Sequence, residues 1–328
     1  MKSAIAEKYA IGIDISKAYF DVAYVKDGVK HHRQFKNTTQ GFRNLQKWLR
    51  KQKVRTAHFA MEATGRYGLK LASFLYRQGY AVSIVNPRQI KAYRDSWLFR
   101  NKSDAADALL IAEFCRSRSL ALWQPPAQEL SALQDMERHI AALKKMRTME
   151  KNRLKSGEMA KSVVKSIKKH LAFLDKSIAQ MEAEIKELVN QHPFLQEVIE
   201  LLTSITGIGE QTAIILVGEI QDITLFGSAP ALATYAGVSP QNHNSGDTIR
   251  KKPKMSKVGN SHLRAALYYP ALNAMQHNPM VKEFAERLKA NGKEGKVLVG
   301  AVMRKLLHIV YGVWSSGKPF DPNYEQRS

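Results

Sequence analysis

The order in which hydrophobic period changes along residues 9–118 leaves few folds open. Tyr9–Asp14 is a short apolar run that ends on an acid, and Phe20–Val25 alternates with period two before the turn Lys26-Asp27-Gly28. With Arg33–Lys36 as a weaker third strand, these predict an antiparallel meander. Thr39 then caps a helix whose Phe42, Leu45, Trp48 and Leu49 share one face. Ala57–Glu62 is a fourth strand, again ending on an acid, and Ala63-Thr64-Gly65 turns the chain into a helix through Leu69, Leu71 and Leu75. Ala81–Val85 is a fifth strand, Pro87 suits the first turn of a helix, and Asp104 opens a last helix to about Arg118. Three strands, helix, strand, helix, strand, helix describes an α/β unit around one sheet, with the fourth and fifth strands parallel because a helix joins them.

Leu122-Trp123-Gln124-Pro125-Pro126 ends that pattern and marks a boundary. Beyond it, Ile167, Leu171, Leu174, Ile178, Met181, Ile185 and Leu188 recur at heptad spacing, after a shorter seam of Leu133, Met136, Ile140 and Leu143. A coiled-coil helical arm over 126–192 follows, formed within the chain or between subunits, with Gly157 between its seams. From Pro193 onward an all-α region with Gly-, Ser-, Asn- and Lys-rich loops is expected. The expected domains are therefore 1–125, 126–192 and 193–328.

Charge names the partner. Lys and Arg total 51 against 29 Asp and Glu, a net +22 over 328 residues, and a field of that size gathers polyanions, above all nucleic acid. Residues 144–170 alone hold ten Lys/Arg and two Glu, a solvated face by default but one able to track a phosphate backbone. No apolar run approaches a membrane span, no leader is apparent, and the single cysteine, Cys115, supplies neither an internal disulfide nor a thiolate metal cage. A soluble, intracellular protein with no membrane partner is expected.

Four acids are the first candidates for chemistry. Asp14 and Glu62 end strands that would be neighbours, and Asp104 and Asp107 lie three apart at a helix start, on one face. Converging carboxylates repel unless a cation offsets them, and hard oxygens suit Mg²⁺ or Mn²⁺ in phosphoryl transfer. Singly, each acid could be a turn residue, and Asp104 an N-cap. In this strand order they resemble the set of ribonuclease H-like, RuvC-like nucleases.

Two loops follow. Gly207-Ile208-Gly209 between apolar helices resembles a helix-hairpin-helix turn, which holds DNA backbone at a helix N-terminus; an αα-corner is the plainer alternative. Residues 241–264 carry six Lys/Arg and one Asp, and Ser245-Gly246 sets a hydroxyl on a turn. Spacing alone does not separate Ser245 from Ser256 or Ser261.

Taken together, Ile11–Asp14, Glu62–Gly65, Asn86-Pro87, Asn101–Ala108, Gly207–Gly209, Tyr235–Gly237 through Ser245-Gly246, and Met255–Gly259 resemble the DEDD transposases of insertion-sequence family one-ten, the bridge-RNA-guided recombinases. The resemblance spans nearly the whole chain in order. It implies a RuvC-like (ribonuclease H-like) domain binding Mg²⁺, or Mn²⁺, through Asp14, Glu62, Asp104 and Asp107. It also implies a transposase domain whose serine, matching Ser245, attacks a DNA phosphate to form a phosphoserine link before strand exchange through a Holliday-type junction. A structured guide RNA from the element's flank would pair with target and donor DNA. The site would be shared between subunits of a homo-oligomer, dimer or tetramer, in a prokaryotic, nucleoid-associated cytoplasmic setting. Arg250, Lys254 and Lys257 are the expected phosphate contacts, beside Gly207 and Gly209. The rivals are a junction nuclease using water, an invertase without RNA, and a non-enzymatic nucleic-acid-packaging protein.

Overall fold

The computed structural model describes residues 9–63, 65–96, 103–245 and 249–323, with backbone alone at 242–245 and 249–253. The chain divides into two compact units, 1–125 and 126–328.

In the first unit, β1 (Ala10–Ile15), β2 (Tyr19–Lys26), β3 (Val29–Lys36), β4 (His58–Glu62) and β5 (Ala81–Val85) form one sheet in the order β3-β2-β1-β4-β5. The first three strands pair antiparallel, and β1, β4 and β5 run parallel. Helices α1 (Thr39–Lys51), α2 (Leu69–Arg77), α3 (Pro87–Ser96) and α4 (Asp104–Ser117) complete it. The α1 cap is Thr38 rather than Thr39, its hydroxyl accepting the Gly41 N–H at 3.2 Å.

Period-two alternation sorts β1 between two cores. Ile11, Ile13 and Ile15 join Phe42, Leu45, Leu49, Leu71 and Leu75 of α1 and α2. The other face is built from small residues: Gly12 lies opposite Ala23 of β2 and Ala60 of β4. There α4 comes close enough that a Cβ on Gly12 would run into the Ala108 carbonyl oxygen and the Ala112 nitrogen. Only glycine lets the helix backbone rest on the strand, and Leu110, Ile111 and Phe114 close the core around that contact.

The second unit begins with α5 (Gln128–Lys155) and α6 (Lys161–Gln191), which pack along Leu133, Ile140, Leu143, Leu174, Ile178 and Ile185. Gly157, at φ +139°, sits in the turn between them. Then come α7 (Pro193–Thr203), α8 (Glu210–Ile220), α9 (Ala229–Tyr235), β6 (Pro240–Ser245), β7 (Ile249–Met255), α10 (Ser261–Ala266), α11 (Tyr268–His277), α12 (Pro279–Ala290) and α13 (Gly295–Ser316). The arm helices and the C-terminal helices share one apolar cluster.

Two expectations change here. The 193–328 region is mainly but not wholly helical, because the stretch read as loop pairs as the antiparallel ribbon β6–β7. Its strands, PQNHNS and IRKKPKM, carry no apolar alternation, and a bulge opposite Asn242 accommodates Pro253, which has no N–H to donate. Helix α13 is long and apolar enough to cross a membrane by length and composition, although Arg304 and Lys305 interrupt its run. Val302, Leu306, Leu307 and Val310 of this helix are fully buried in the core of the second unit.

Candidate active site

Asp14 and Glu62 both fall on the α4 side of the sheet, two residues beyond Gly12 and Ala60 in parallel, neighbouring strands. Seating α4 on Gly12 brings its N-terminus to the same end of β1. Ser103 caps that helix, its hydroxyl accepting the Ala106 N–H at 3.2 Å, so Asp104 is not needed as a cap.

The carboxylates act on one another. Burial pushes the Asp14 carboxyl above its ordinary value, and the charges of Asp107, Asp104 and Asp21 raise it further. Burial also raises Glu62, with Asp14 and Asp107 adding to the shift and Arg94 opposing it. Arg94, on α3, donates from one terminal nitrogen to Asp107 Oδ1 at 3.0 Å. The donor set, all hard carboxylate oxygens, with Asp14 and Glu62 pushed up by burial and by neighbouring negative charge, fits a divalent cation such as Mg²⁺. Among the described residues no three such groups are gathered closely enough to hold one as they stand.

Sequence reasoning missed a fifth acid. Asp21 lies directly across the β1–β2 ladder from Asp14 and is 5% exposed. Gln34 Nε2 donates to it at 2.9 Å, and His32 Nε2 lies 2.7 Å from its other oxygen. The signal was the alternation of Phe20, Val22 and Tyr24, which puts Asp21 on the opposite face.

The second unit carries the remaining candidates. Gly207, at φ +107°, has a packing role, because a Cβ there would come within 2.7 Å of the Ala274 Cβ on α11. Gly209 caps α8 without a side-chain bond, and a Cβ there would meet nothing. Ser245 ends β6 opposite Ile249, and Arg250 pairs with Asn244. Gly246 and the side chains of Ser245 and Arg250 lie outside the described residues. Lys254 and Lys257 are exposed. The Ser256 hydroxyl accepts the Val258 N–H at 3.3 Å, and Ser261 opens α10.

A buried carboxylate ties together the segments that flank the ribbon. Arg138 of α5 grips Glu219 of α8 through Nε and a terminal nitrogen, both at 2.7 Å, and Asn260 Nδ2 donates to the same carboxylate at 2.7 Å. Asn260 also caps α10 with its oxygen and touches the Tyr235 hydroxyl. Burial pushes Glu219 up, but the bonds from Arg138 and Asn260 more than offset it, so its carboxyl lies below its ordinary value.

A transposase family model matches residues 11–157, and the Transposase IS116/IS110/IS902 family model matches 199–286. The pilin gene-inverting protein of Moraxella bovis is 36% identical over 322 residues, 96% of this chain and 98% of its own. The chain belongs to the IS110 family of transposases. An uncharacterized 43.6 kDa protein of insertion element IS110 from Streptomyces coelicolor is 28% identical, over 47% of this chain and 37% of its own. The transposase for element IS1111A of Coxiella burnetii is 25% identical, over 66% and 65%. The first unit of this transposase, a mixed sheet with helices, fits a RuvC-like domain, and it is followed by a mainly helical C-terminal region.

Proposed function

We propose that this transposase is an RNA-guided DNA recombinase that mobilises its own insertion sequence. The observation that carries the reading is the meeting of Asp14, Glu62 and Asp107 in one electrostatic field on the α4 face of a β3-β2-β1-β4-β5 sheet. These three, with Asp104, would hold Mg²⁺, which when bound supplies positive charge to a phosphate under attack. Ser245 Oγ is the nucleophile: its bond to phosphorus forms as the bond from phosphorus to a deoxyribose oxygen breaks, and that oxygen leaves as the hydroxyl of the cut strand. The phosphoserine ester conserves the broken bond, so an incoming strand's hydroxyl can reverse the step, join the new partner and return the serine. Gly209 at the open N-terminus of α8, with Arg250, Lys254 and Lys257 on and beside the ribbon, would contact phosphates, and the net +22 suits two polyanionic partners, DNA and RNA.

A second reading has its own support. The Moraxella bovis relative, similar along nearly its entire length, is named for inverting a gene, which favours a DNA invertase working on a fixed site.

Expression with the native flanking DNA, purification, and sequencing of bound RNA tests the choice. One discrete RNA mapping beside the gene is expected; heterogeneous RNA or none returns the reading to the unguided invertase. In the same preparation Ser245→Ala should retain binding and lose strand exchange and the protein–DNA adduct. Normal exchange in that variant ends the role of Ser245.

A further inference from the structure

Two arginine–carboxylate pairs in this chain differ in kind. Arg138 holds Glu219 with two nitrogens at 2.7 Å, and the carboxylate is 2% exposed. Arg94 holds Asp107 with one nitrogen at 3.0 Å, and their side chains are 31% and 18% exposed. The first is a closed fork of the kind that fixes structure; the second is a single contact at the edge of solvent, of the kind that exchanges. Among the described residues, Arg94 is also the one cation whose charge acts on Asp14 or Glu62, the others being carboxylates.

We propose that Arg94 is a displaceable counter-ion of the acid site: it holds Asp107 until a divalent cation takes that carboxylate, and its freed guanidinium then binds a phosphate oxygen of the DNA. The inference rests on the reading of Asp14, Glu62, Asp104 and Asp107 as the metal ligands. Without a metal, Asp107 would face the charges of Asp14 and Glu62 unopposed, and Arg94 supplies the missing positive charge. Once a cation does so, the guanidinium stands beside the acids with its planar donors unused, and a phosphate matches that geometry as well as a carboxylate does. The release also offsets the repulsion between an acidic site and a polyanionic substrate. Arg94 is thus a positioning residue in the free protein and a substrate contact in the loaded one.

Titration of the full chain with Mn²⁺ alone, followed by calorimetry, separates this role from simple packing of α3 on α4. Arg94→Gln removes the competing charge and should bind Mn²⁺ roughly fivefold more tightly, the equivalent of about 1 kcal/mol for a partly exposed pair. Arg94→Lys keeps the charge and should bind as the wild type does. Strand cleavage of the element's ends at saturating Mn²⁺, with any RNA that co-purifies, should fall at least tenfold in Arg94→Gln despite the tighter metal. Unchanged Mn²⁺ affinity in Arg94→Gln overturns the counter-ion role, and wild-type cleavage by that variant overturns the phosphate contact. Asp14→Asn reports on the underlying reading: if it binds Mn²⁺ like the wild type, the acids are not the metal site and the role of Arg94 falls with them.

Discussion

Glu137 lies in α5 at 5% exposure, with Gln211 Nε2 donating to its Oε1 at 2.8 Å. Burial pushes its carboxyl from the ordinary 4.5 up to about 7, against the pull of that hydrogen bond and of Lys144. The difference is a factor of roughly 300 in proton affinity, worth about 3 kcal/mol. Because the folded value is the higher one, the protonated acid favours the folded state. The contribution is fully present below about pH 4.5 and is lost as pH rises through about 7. About 2.5 kcal/mol of it disappears between pH 5 and pH 8. Glu137→Gln imitates the protonated acid at every pH, and its side-chain oxygen still accepts from Gln211. Urea unfolding of both proteins, read on the transition of the second unit, should show near-equal stability at pH 5. At pH 8 the variant should lead by about 2–3 kcal/mol. The comparison cancels the other titrating groups, which are shared. A stability difference that stays constant from pH 5 to pH 8 would refute the assignment of a buried, protonated Glu137.

Two further substitutions probe the packing behind the two candidate sites. In Gly12→Ala the new methyl would meet α4 backbone atoms, the Ile111 carbonyl carbon among them at 2.9 Å. The helix must retreat, costing about 1–3 kcal/mol, and Asp104 and Asp107 leave with it; recombination should fall on the order of a hundredfold, and wild-type recombination would show that α4 seating does not set the spacing of the acids. Glu219→Gln strands the Arg138 charge and should cost about 2–5 kcal/mol in urea unfolding, towards the low end because Arg138 is about one-third exposed. The double variant Arg138→Met with Glu219→Met should recover most of that loss, and its failure to do so would locate the energy elsewhere.

The first unit was legible because its signals are local. Alternation in Phe20–Val25, caps and turns at strand ends, and apolar spacing in the helices each act within a few residues, and together they order the strands. The acids Asp14 and Glu62 could be picked out because they end strands read as neighbours in one sheet. Asp21 escaped because its partner across the ladder depends on register, which the turn sets and composition does not reveal. Arg94 escaped because its significance lies in a contact with another helix. The ribbon β6–β7 was missed because its strands are almost wholly polar and charged. Glu219 looked like one more acid on an apolar helix; its partners come from α5 and from the loop before α10, 81 and 41 residues away.

The fork at Glu219 also has a mechanical side. Helix α5 runs on for 17 residues beyond Arg138, roughly 25 Å at the rise of an α-helix, and carries six Lys and Arg towards its far end. The helix is therefore a lever with its fulcrum buried at the fork. Apolar contacts along the rest of α5 can slide, but the hydrogen bonds at Glu219 are directional and short, and Asn260 shares the same carboxylate. Through that shared carboxylate α5 is joined directly to the segment between β7 and α10.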